Sequence, residues 1–190
     1  MARHGLGVTR QYFSVCEVFF LGTDNCKTLV YEPHLPKPRL FPATILAELI
    51  EKRIAELKST NNLKVEFQTP LRIRRNRELL EKITFAEFFK QCSLRLKFLM
   101  EIYSTPLEYD YQSLMKSAND VVITQDKLWR HNFSRLSNRQ EAKLSLDGLL
   151  GEIDFRYSDF SDFLPFITAC EVLHIGHASN LGLGKFLVVC

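Results

Sequence analysis

The chain has 190 residues, which is room for one domain or for one domain and a fragment of another. Its apolar share of 46% is that of a folded globular protein. A net charge of only +3 is a mild lean toward polyanions, so a nucleic-acid surface would have to come from where the basic residues lie. Apolar runs are too short to span a bilayer, and Met1-Ala2-Arg3-His4-Gly5 lacks the apolar core of a signal peptide; the expectation is a cytoplasmic protein with no membrane partner.

The aromatic and β-branched stretch from Gln11 to Leu21 predicts a first strand. A turn over Gly22 to Asn25 and a second strand over Thr28 to Tyr31 follow. His34-Leu35-Pro36-Lys37-Pro38-Arg39 is a proline-rich connector biased to extended backbone. Ile45, Leu46, Leu49, Ile50, Ile54 and Leu57 give an apolar stripe to a helix from about Ala43 to Lys58. Residues 1–60 are read as part of a first repeat. Its Gly5-Leu6-Gly7 beginning echoes Gly182-Leu183-Gly184 near the other end, although chance similarity would look the same.

Residues 61–190 carry a more complete pattern. A strand is expected near Leu63 to Ile73, then a basic turn at Arg74-Arg75-Asn76-Arg77. Thr84, with Glu87 three residues on, is a capping box for a helix to about Tyr103. A shorter helix over Leu107 to Lys116 ends in a break at Asn119-Asp120. Leu128 to Leu136 and Ala142 to Tyr157 read as two strands joined near Ser137-Asn138. Ser161 is the expected cap of a helix through Leu173, with Pro165 in the first turn. A glycine-rich loop then leads into a final apolar strand, Phe186 to Cys190. The order β-α-(α)-β-β-α-β is the α+β, ferredoxin-like (split βαβ, RRM-like) plan, with helices on one face of an antiparallel sheet.

The chemistry-bearing residues cluster in this second part. Gly176, Gly182 and Gly184 permit positive φ and close backbone approach, and exposed N–H groups of such a loop can cradle an anion. Helix–loop–strand order is the reverse of a nucleotide-binding turn, which argues against a Rossmann or P-loop site. Lys64, Arg72, Arg74, Arg75 and Arg77 form one basic group. Lys127, Arg130, Arg135, Arg139 and Lys143, interleaved with Trp129, His131 and Phe133, form another. Such groups suit phosphates and unpaired bases; the alternative is a solvated face balanced by Glu66, Asp126 and Glu141. His174 and His177 have HxxH spacing but no second pair of ligands, so no metal and no cofactor is expected. The five scattered cysteines, without a CxxC pair, read as free buried thiols.

An ordered set of segments carries a resemblance over roughly residues 64–190: Thr69-Pro70-Leu71-Arg72-Ile73-Arg74; Ser93-Leu94-Arg95-Leu96; Trp129 with Ser134-Arg135-Leu136-Ser137-Asn138-Arg139-Gln140; and Gly148-Leu149-Leu150-Gly151-Glu152-Ile153 followed by Leu173-His174-Ile175-Gly176 and Gly182-Leu183-Gly184-Lys185-Phe186. Together they resemble the C-terminal half of the CRISPR repeat-processing endoribonuclease family, of the repeat-associated mysterious protein superfamily. The resemblance implies two ferredoxin-like units in tandem and repeat RNA as partner. It also implies metal-independent cleavage leaving a 2′,3′-cyclic phosphate. RNA contacts are expected at Gly176, His177, Gly182, Gly184, Lys185, Arg72, Arg74, Arg130, Arg135 and Arg139. The catalytic group is unassigned; His177, His131 and His4 are the candidates, with His174 read as structural. The alternative is a non-catalytic RNA-binding or scaffold subunit of a CRISPR effector complex, working with other CRISPR-associated subunits. An open strand edge in residues 1–60 adds an expectation of a homodimer.

Overall fold

The structure is a computed structural model that describes residues 12, 14–21, 26–40, 45–57, 61–132, 134–137 and 142–189. It divides into two compact units, Met1–Lys52 and Arg53–Cys190. In the first, β1 (Val18–Leu21) pairs antiparallel with β2 (Lys27–Tyr31) as a two-stranded sheet. The first strand is shorter than the aromatic run suggests, and α1 (Leu46–Glu56) straddles the division.

The second unit is built on β3 (Asn62–Leu71), β6 (Val122–His131), β9 (Gly148–Arg156) and β10 (Phe186–Val189). Their order in the sheet is β10-β3-β9-β6, and every pair is antiparallel. This is the split βαβ arrangement expected from the element order. Two crossovers run through α2 (Phe85–Tyr103) and α4 (Leu164–Leu173); α3 (Tyr111–Asn119) follows α2. Two small hairpins are inserted: β4 (Arg74–Arg75) with β5 (Glu78–Leu79), and β7 (Ser134–Ser137) with β8 (Ala142–Ser145).

The alternation along β3 decides which face is covered. Leu63, Val65 and Phe67 are buried against the helices, whereas Lys64, Glu66 and Gln68 face the other way. Phe85, Phe88 and Phe89 of α2 meet Phe155, Phe163 and Phe186 largely edge to face, as in the 5.1 Å Phe85–Phe163 and Phe88–Phe186 pairs. Such contacts add to simple area burial. The Thr84 capping box forms as expected: the Glu87 N–H donates to Thr84 Oγ1 and the Thr84 N–H to Glu87 Oε2.

Three sequence expectations change. Ser161 is not the cap of α4; its hydroxyl donates to Asp159 Oδ1 at 2.6 Å, and the helix starts after Phe163. The strand expected over Leu128 to Leu136 begins at Val122, as β6, and breaks before Ser134. Its first half, through Gln125-Asp126-Lys127, lies ahead of the expected start at Leu128 because an edge strand exposes polar side chains and so lacks an apolar run. Cys92 and Cys170 are buried free thiols, but Cys16 and Cys26 are exposed.

One more contact closes the unit. Glu171 of α4 accepts from Arg53 Nε at 2.8 Å and from the Val188 N–H at 2.6 Å, while Arg53 donates to the Val188 carbonyl at 2.6 Å. Two side chains thus occupy backbone groups of edge strand β10.

Candidate nucleic-acid interface

The topology brings most of the predicted contact residues to one end of the four-stranded sheet. There β3 ends at Leu71, β6 ends at His131, β9 begins at Gly148 and β10 begins at Phe186. Arg72–Arg77 follow β3, Arg130 and His131 close β6, and the loop from His174 to Lys185 precedes β10.

Hydrogen bonds from the Gln68–Arg72 segment fix the loop. The His177 N–H donates to the Arg72 carbonyl at 2.8 Å and the Gly184 N–H to the Pro70 carbonyl at 3.1 Å. Thr69 Oγ1 donates to the Gly182 carbonyl at 2.9 Å and accepts from the Lys185 N–H at 2.8 Å. The glycines have different tasks. At Gly184 (φ 72°) a Cβ would collide with the Ile175 carbonyl, and at Gly176 (φ 79°) with the Arg72 carbonyl. Gly182 (φ 85°) has nothing within 4 Å of a Cβ position, so it leaves open the side on which another molecule can approach. His177, Gly182 and Lys185 are exposed.

His174 terminates α4 at φ 57°, and its N–H donates to the Cys170 carbonyl. Burial, then the Lys185 ammonium, pushes its imidazole below the usual histidine range. That fits the structural role expected for it. Among the described residues no group of three His, Cys, Asp or Glu side chains is arranged to hold a metal ion.

Arg72 is not a surface residue. It is 5% exposed, its guanidinium donates to the Ser145 carbonyl at 2.7 Å, and its Nε has no hydrogen-bond partner. Burial, then the nearby Arg74, lowers its pKa from the ordinary arginine value. It forms part of the wall of a groove of about 580 Å³, together with Arg74, Arg77 and Arg130 and the carboxylates of Glu78, Glu81 and Asp147. Arg130 lies 3.5 Å from Asp147 and 3.7 Å from Glu81. The acidic half of this groove was not expected. Glu81 and Asp147 are far apart in sequence, and only the fold places them around Arg130.

The two basic groups therefore separate. Lys64 and Lys127 are on the uncovered sheet face rather than at the loop end. Lys64 forms a 2.8 Å ion pair with Glu152, which holds the Glu152 carboxyl below the usual range. Glu66 stands directly across from Glu152, and Asp154 follows on the same face. Arg75 pairs with Glu87. Trp129 and His131 also occupy the uncovered face, rings 5.3 Å apart and edge to face. Arg135 belongs to β7. Arg139, His4, Cys190 and the Gly5-Leu6-Gly7 echo lie outside the described residues.

The element order and the sheet order β10-β3-β9-β6, with the glycine loop ahead of the last strand, define a ferredoxin-like unit. Residues 65–186 match the family model of the CRISPR-associated endoribonuclease Cas6. The chain belongs to the Cas6 family. No curated protein matches it significantly. Among solved structures, it is similar to Thermus thermophilus Cas6 (TTHB231) at 14% identity, with 77% of this chain and 59% of that chain covered and a TM-score of 0.54. A Cas6 (TTHA0078) product complex gives 12% identity, 73% and 55% coverage, and a TM-score of 0.51. A partial Cas6-RT-Cas1–Cas2 complex gives 14%, 80%, 28% and 0.57. These likenesses carry the fold. The chain spans little more than half the length of the two Cas6 chains. No helix among the described residues is long and apolar enough to cross a membrane.

Proposed function

We propose that this chain binds CRISPR repeat RNA at the loop end of the sheet, for metal-independent processing of pre-crRNA. The observation that carries the reading is the His177 N–H to Arg72 carbonyl bond, which joins the glycine loop to the arginine segment as one continuous surface. Lys185, His177 and the open side of Gly182 contact backbone phosphates; Arg74 and Arg130 extend the contact, with Arg135 and Arg139 as further candidates, while buried Arg72 supports the groove wall. The uncovered face, where Glu66, Glu152 and Asp154 offset Lys64 and Lys127, is a poor track for a phosphate chain.

The reaction of such a ribonuclease needs no metal in principle. The 2′-oxygen attacks the adjacent phosphorus, its proton passes to a base, and the P–O5′ bond breaks as an acid protonates the leaving oxygen. The products are a 2′,3′-cyclic phosphate and a 5′-hydroxyl. His177 and His131, both at the loop end, are the described candidates for proton transfer, with His4 the third.

The second reading is a binding-only subunit acting with other CRISPR-associated proteins. Incubation with labelled repeat RNA in EDTA tests both. Cyclic-phosphate product, lost in His177→Ala and kept in His174→Ala, establishes a self-sufficient enzyme. Salt-sensitive binding without cutting establishes the second reading. Absence of binding removes both.

A further inference from the structure

The groove under the Arg74–Leu79 hairpin carries a more specific chemistry than phosphate contact. Four arginines line it, Arg72, Arg74, Arg77 and Arg130, but so do three acidic residues, Glu78, Glu81 and Asp147. A site built for phosphates alone gains nothing from carboxylates, which repel the ligand and compete for the cations. A nucleobase edge, in contrast, needs donors and acceptors side by side. At about 580 Å³ the groove falls within the ~300–1,000 Å³ range of small-molecule sites, enough for one nucleotide.

Two features mark the groove as prepared for a ligand. Arg72, one of the lining residues, is buried and its Nε has no hydrogen-bond partner, so its guanidinium is held by the Ser145 carbonyl alone. The hairpin tip, Asn76-Arg77, has both residues at positive φ (52° and 72°), the geometry of a two-residue turn that favours glycine at its second position. Holding an arginine there places a cation at the groove against the backbone preference, the kind of strain that accumulates at functional sites. The ion pairs of Arg130, at 3.5 and 3.7 Å, are longer than the ~2.7–2.9 Å of a strong charge-assisted bond, so a ligand can replace them at little cost.

We infer that this groove reads one unpaired guanine of the bound RNA. Guanine offers two acceptors, O6 and N7, to a guanidinium fork, and two donors, N1–H and the N2 amine, to a carboxylate. Adenine places its N6 amine where the guanidinium needs an acceptor. Pyrimidines lack the second edge. The inference rests on the RNA-binding reading above and adds a base preference to it.

The probe is a set of fluorescein-labelled ten-nucleotide RNAs, all uridine except for one central guanosine, inosine, adenosine or cytidine, titrated with the full chain by anisotropy. The guanosine oligomer binds about tenfold tighter than the adenosine one, and inosine, lacking the N2 amine, falls between. The double variant Glu78→Gln/Glu81→Gln and the single variant Arg77→Gly each bring the guanosine-to-adenosine ratio towards one; all three changes are at the exposed rim or turn, so folding is checked by an unchanged melting profile or, for Arg77→Gly, a raised one. Equal, salt-sensitive affinity for all four oligomers means phosphate contact only and overturns the guanine inference while leaving RNA binding intact. No binding to any oligomer overturns both.

Discussion

Replacing Arg77 by glycine should make this protein more stable, although it removes a whole side chain. Arg77 sits at φ 72° in the turn between β4 and β5, beside Asn76 at 52°. A left-handed backbone costs an L-residue roughly 1–2 kcal/mol, and glycine escapes that cost. Glycine also loses more conformational entropy on folding, roughly 0.5–1 kcal/mol. Among the described residues, the Arg77 side chain has no hydrogen bond or ion pair to forfeit. The balance is a gain of about 0.5–1 kcal/mol, which for a chain of this size raises the melting temperature by about 1–4 °C. Thermal and urea melts of wild type, Arg77→Gly and Arg77→Ala measure it. Alanine retains the strain and should melt within about 1 °C of wild type. An unchanged or lowered melting temperature for Arg77→Gly would refute the left-handed turn and with it the claim that an arginine is held there against backbone preference.

Other substitutions test the loop and the core. Gly182→Ala meets only the backbone cost, about 1–2 kcal/mol, whereas Gly184→Ala also drives a Cβ into the Ile175 carbonyl and should destabilise by clearly more; chemical denaturation separates them. Glu171→Ala strips Arg53 and the Val188 N–H of their acceptor, an expected loss of about 2–3 kcal/mol in the same assay. His174 has a folded-state pKa below its unfolded value, so its neutral form contributes stability that is present above about pH 6.5 and lost as pH falls through the lower folded value. His174→Asn should flatten that acid-side slope in melts between pH 7.5 and 5. The thiols of Cys16 and Cys26 should react with a disulfide reagent in the native protein, while Cys92, whose pKa burial pushes up, and Cys170 react only on unfolding. If residues 1–60 pair through the open edges of the β1–β2 sheet, light scattering at high concentration gives a dimer mass; a monomer mass rejects the pairing.

Elements with strong local signals were legible in the sequence. The Thr84–Glu87 box announces α2, the alternation through Leu63, Val65 and Phe67 announces β3, and Gly176 and Gly184 announce the loop that the chain must turn through without a Cβ. Signals failed where tertiary placement overrides local pattern. Arg72 looks like a surface cation among other arginines, but the end of β3 turns it under Ser145. Lys64 and Lys127 belong by composition to the basic groups, but the sheet pairs them with an acidic face. The groove needed Glu81 and Asp147 beside Arg130, a meeting that depends on β5, β6 and β9 coming together. Thr69, which ties both Gly182 and Lys185, gives no local sign that it is the pin of the loop.

The most direct test of the account is the salt dependence of repeat-RNA affinity for wild type and Lys185→Ala, measured by anisotropy in EDTA. Each lost single-strand phosphate contact lowers the slope of log affinity against log salt by about 0.7. The account predicts salt-sensitive binding, with Lys185→Ala weaker and its slope reduced by about that amount. Binding whose strength and slope ignore Lys185→Ala, or no binding at all, would contradict the placement of RNA at the loop end of the sheet.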